Sequence, residues 1–132
     1  MKIKKEEILK AIATEKLRPQ DWFHVDGLRN VPIGQIECSV CAVGAVLREA
    51  FPLVNQRDLR YFCSMNVNTG NVHENLVAGD WLSALSSFYE ERHNEDDELD
   101  SSEIYSVDED RLALNHFVNE HFPEAIEVDI TV

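Results

Sequence analysis

The sequence predicts an α+β fold, mainly α, with about five helices around one core and a small two-stranded sheet formed by residues 22–25 and 126–132. Three observations lead there. Apolar residues recur at helical steps of three and four in five stretches, while two short stretches have strand character. The third is size: 132 residues at 44% hydrophobic content suit a single domain, 1–132, with one core.

Ile8, Leu9, Ile12 and Leu17, separated by good helix formers, predict a first helix over residues 4 to 16. It stops before Arg18-Pro19, because the residue preceding a proline avoids helical geometry. Trp22, Phe23 and Val25, closed by Asp26-Gly27, read as a short strand and turn. Residues 27 to 37, with Gly27, Pro32 and Gly34, read as loop.

Ser39 is placed to cap a second helix, whose first-turn amides its hydroxyl can accept, and Pro52 ends it. From Val40 to Leu47 this segment is apolar almost all round, so it is expected to be the central helix, with Gly44 permitting close approach of a neighbour. A third helix over Asn55 to Ser64 turns Leu59, Phe62 and Cys63 inward, and the turn formers Asn66, Asn68, Gly70 and Asn71 follow it. A fourth helix starts at an Asp80 cap and runs to about His93, with Trp81, Leu82, Leu85, Phe88 and Tyr89 on one face. Ser106 and Glu109 form a capping box for a fifth, which carries Leu112, Leu114, Phe117, Val118 and Phe122 and ends at Pro123. Alternation from Ile126 to Val132 predicts a half-buried strand, pairing with residues 22–25.

The net charge of −13 comes from 25 acids and 12 bases. Affinity for phosphate backbones depends on Lys and Arg displacing counterions, so direct nucleic-acid or anionic-membrane binding is disfavoured. The charge is also local. Residues 90–110 hold eleven acids and one base, Arg92, for −10, whereas the other 111 residues carry only −3 and the first 18 carry +3. Within this segment, 94–105 is expected to be an acidic loop between helices. Its candidate binding residues are Glu95, Asp96, Asp97, Glu98, Asp100 and Glu103, since a concentrated field attracts a basic surface. An alternative is a solvated loop whose last acids, Asp108, Glu109 and Asp110, complement the positive end of the fifth helix. Calcium is a poor fit: Asp96, Glu98 and Asp100 alternate, but Ser101 and Val107 stand where an EF-hand loop needs glycine and glutamate.

Cys38 and Cys41 are three residues apart, with Cys41 in the first turn of the expected second helix, where backbone amides favour a thiolate. With Cys63 and His73 they complete a Cys-x2-Cys-x21-Cys-x9-His spacing, the candidate zinc set. The last interval is loose for a zinc finger, and a thioredoxin-like reading lacks its preceding strand. Packed thiols, metal ligands and a nucleophilic Cys41 served by His73 all stay open. His24, His93, His116 and His121 are scattered, and no phosphate-cradling loop, nucleophile elbow or helical zinc motif is present.

The first nine residues lack the apolar core of a signal peptide, no later stretch approaches a bilayer span, and three cysteines make no disulfide framework, so the chain reads as cytoplasmic. The expected function is non-catalytic: an acidic protein that binds another protein with a basic surface through residues 90–110, without cofactor or membrane, homo-oligomers remaining compatible. This profile is shared by small acidic inhibitors that phages and mobile elements encode. The alternatives are a zinc-stabilised domain using Cys38, Cys41, Cys63 and His73, and a thiol enzyme using Cys41.

Overall fold

The computed structural model describes residues 1–17, 31–35, 40–67, 70–92, 107–128 and 130. These residues form a mainly helical α+β domain whose elements are β1 (Lys2–Lys4), α1 (Lys5–Thr14), a 3-10 turn (Ile33–Gln35), α2 (Ala42–Ala50), α3 (Gln56–Asn66), α4 (Val72–Ala78), α5 (Trp81–Glu91), α6 (Val107–His121) and β2 (Ala125–Glu127). No helix among the described residues is long and apolar enough to cross a membrane.

α2 occupies the position its all-round apolarity predicts, with every residue from Ala42 to Leu47 buried. Helix α1 packs on α2, α2 on α5, α5 on α6 and α6 back on α1, so four helices close a ring around Ile8, Ile12, Val43, Leu47, Leu85, Leu114 and Val118. α4 rests on α5 outside this ring.

The second helix begins later than expected. Ser39 lies outside the described residues, and the N-cap is Cys41, whose Sγ accepts from the Gly44 amide at 3.4 Å. Val40 is held extended beside the end of α1: its amide donates to the Lys16 carbonyl at 2.9 Å, and Leu17 and Val40 form a parallel bridge. A residue engaged in that bridge cannot also take helical geometry, so the helix starts after it.

Two elements differ from expectation. Residues 72–78 form a sixth α-helix, capped by Asn71, whose Oδ1 accepts from the amides of His73 and Glu74 at 2.8 and 3.3 Å. It ends at Gly79 with φ +78°, the left-handed conformation in which glycine avoids a Cβ clash. The sheet is the other difference. β2 pairs antiparallel with β1 at the N-terminus, a strand the sequence pattern does not show, matching Lys2 with Glu127, Ile3 with Ile126 and Lys4 with Ala125; residues 22–25, the expected partner, lie outside the described residues. Ile3 and Ile126 point into the core, and Val128 and Ile130 continue the inward alternation beyond the paired residues.

Candidate functional site

α5 and α6 are antiparallel neighbours, and a ladder of contacts sets their register. Trp81 meets Phe122 with ring centroids 5.2 Å apart, Phe88 stacks on Phe117 at 4.3 Å, and Arg92 Nε donates to Asp110 Oδ1 at 3.0 Å. The first two contacts follow from the apolar faces of the helices. The third joins the C-terminal end of α5 to the first turn of α6, the two places where residues 93–106 leave and re-enter the described structure.

This geometry changes the charge count of the candidate segment. Arg92 is the one base in residues 90–110, and its guanidinium is committed to an aspartate that is only 2% exposed. The pair therefore neutralises itself, and the sequence of residues 90–110 holds no further Lys or Arg beside its other ten acids. Glu91, Asp108 and Glu109 are exposed around the ion pair, at the same end of the helix pair. Leu112, one turn further along α6, is 71% exposed. Glu95, Asp96, Asp97, Glu98, Asp100 and Glu103, like the whole expected loop 94–105, lie outside the described residues.

The cysteine set is placed differently. Cys41 and Cys63 are both buried in the core, Cys41 at the start of α2 and Cys63 on the inner side of α3. Burial, and secondarily the neighbouring Cys41, pushes the Cys63 thiol well above its ordinary value, so it is protonated at neutral pH. His73 is exposed in the first turn of α4, and Cys38 lies outside the described residues. Among the described residues, no three His, Cys, Asp or Glu side chains come together in a way that could hold a metal ion, so Cys41, Cys63 and His73 do not converge.

Sequence reasoning missed the roles of Arg92 and Asp110. Arg92 entered only as a lone base and Asp110 only as an acid near a helix end; their separation of 18 residues matches no helical spacing that would have linked them. It also missed a polar junction between α1, α2 and α6. Glu15, at the end of α1, accepts from Arg48 Nε of α2 at 2.7 Å, while its carbonyl and that of Ala13 accept from Arg111 of α6 at 2.7 and 3.1 Å. These contacts tie three helices together and cap the C-terminal carbonyls of α1 with positive charge.

No known protein family, curated protein or solved structure matches the chain.

Proposed function

We propose that this chain is a small non-catalytic cytoplasmic protein that binds another protein with a basic surface through residues 90–110, as an inhibitor, adaptor or regulator. The observation that carries this reading is the concentration of ten of thirteen net negative charges into 21 residues. The Arg92 to Asp110 ion pair supports it, because it brings the two ends of the segment together and uses up the segment's one base. A field of one sign at one end of the molecule raises the encounter rate with a basic surface and repels acidic ones, including nucleic acid.

Binding of this kind weakens as salt screens the field. Replacing Glu95, Asp96, Asp97, Glu98 and Asp100 by their amides keeps shape and removes charge. The wild-type chain, used as bait at low salt, is expected to retain partners that elute on raising salt and that the amide variant fails to retain. Equal retention by the two baits would refute the acidic contact.

A further inference from the structure

We draw no further inference here: the strongest candidate, the core thiol pair of Cys41 at the start of α2 and Cys63 on the inner side of α3, rests for its proximity on the raised pKa of Cys63 alone, and both side chains are buried away from any reactant.

Discussion

Glu15 is held from two directions, its carboxylate by Arg48 and its carbonyl by Arg111, and the two arginines come from positions 33 and 96 residues away. Glu15→Gln takes the ionic partner from a guanidinium that is only 7% exposed and is expected to cost about 2–3 kcal/mol in urea unfolding. Arg48→Met combined with it should cost less than the sum of the two single changes, because the pair acts as a unit. Cys63 supports a second prediction. Its folded-state pKa is raised, so the folded protein keeps the proton where the unfolded chain loses it, and stability falls as pH rises past the ordinary thiol value of 9.0. Between about pH 8 and about pH 10, wild type should lose more unfolding free energy than Cys63→Ala, and Cys63 should resist alkylation at neutral pH in the folded chain. Equal losses would show that its burial does not matter. The sequence narrowed Cys41 and Cys63 to a short list of roles because burial of cysteine is common, but nothing in it could reveal the Glu15 junction, whose spacings have no local period.

The helices were legible where they were long and had strong starts. Asp80 caps α5 as its position suggests, its carboxylate accepting from the Ser83 amide, and the apolar face of α5 contacts α6 as expected. α4 and β1 were not legible, for reasons of length. Seven residues give α4 two turns and too few apolar positions to show a period, although Asn71 before it and Gly79 after it are ordinary boundary signals. β1 has three residues and a single inward side chain, Ile3, so alternation cannot be seen, and its pairing with β2 was not foreseen. Asn71→Ala is expected to cost about 1 kcal/mol through loss of two accepted amide bonds. Ile3→Ala leaves a hole beneath the sheet and should cost about 2–4 kcal/mol, both values read from denaturant midpoints. If Ile3→Ala were neutral, the pairing of the N-terminal strand with β2 would not be contributing to the fold.

Across the whole molecule the charge is asymmetric. The first 18 residues are net positive, and part of that charge is used within the fold: Lys10 pairs with Glu49 at 3.0 Å, and Lys5 donates to the Asn119 carbonyl at 3.2 Å. Arg92 is the one Lys or Arg within the sequence of residues 90–110, and it pairs with Asp110. The location of the charge was legible by counting along the sequence, whereas the meeting of its two flanks required the tertiary register of α5 and α6. The account therefore turns on whether charge in 90–110 governs association with a partner. The most direct measurement is the salt dependence of binding to a captured partner, compared between wild type and the chain with Glu95, Asp96, Asp97, Glu98 and Asp100 neutralised. The account predicts that wild-type affinity falls steeply with salt and that the neutralised chain binds weakly with a shallow dependence. Identical affinities and identical slopes for the two chains would contradict it.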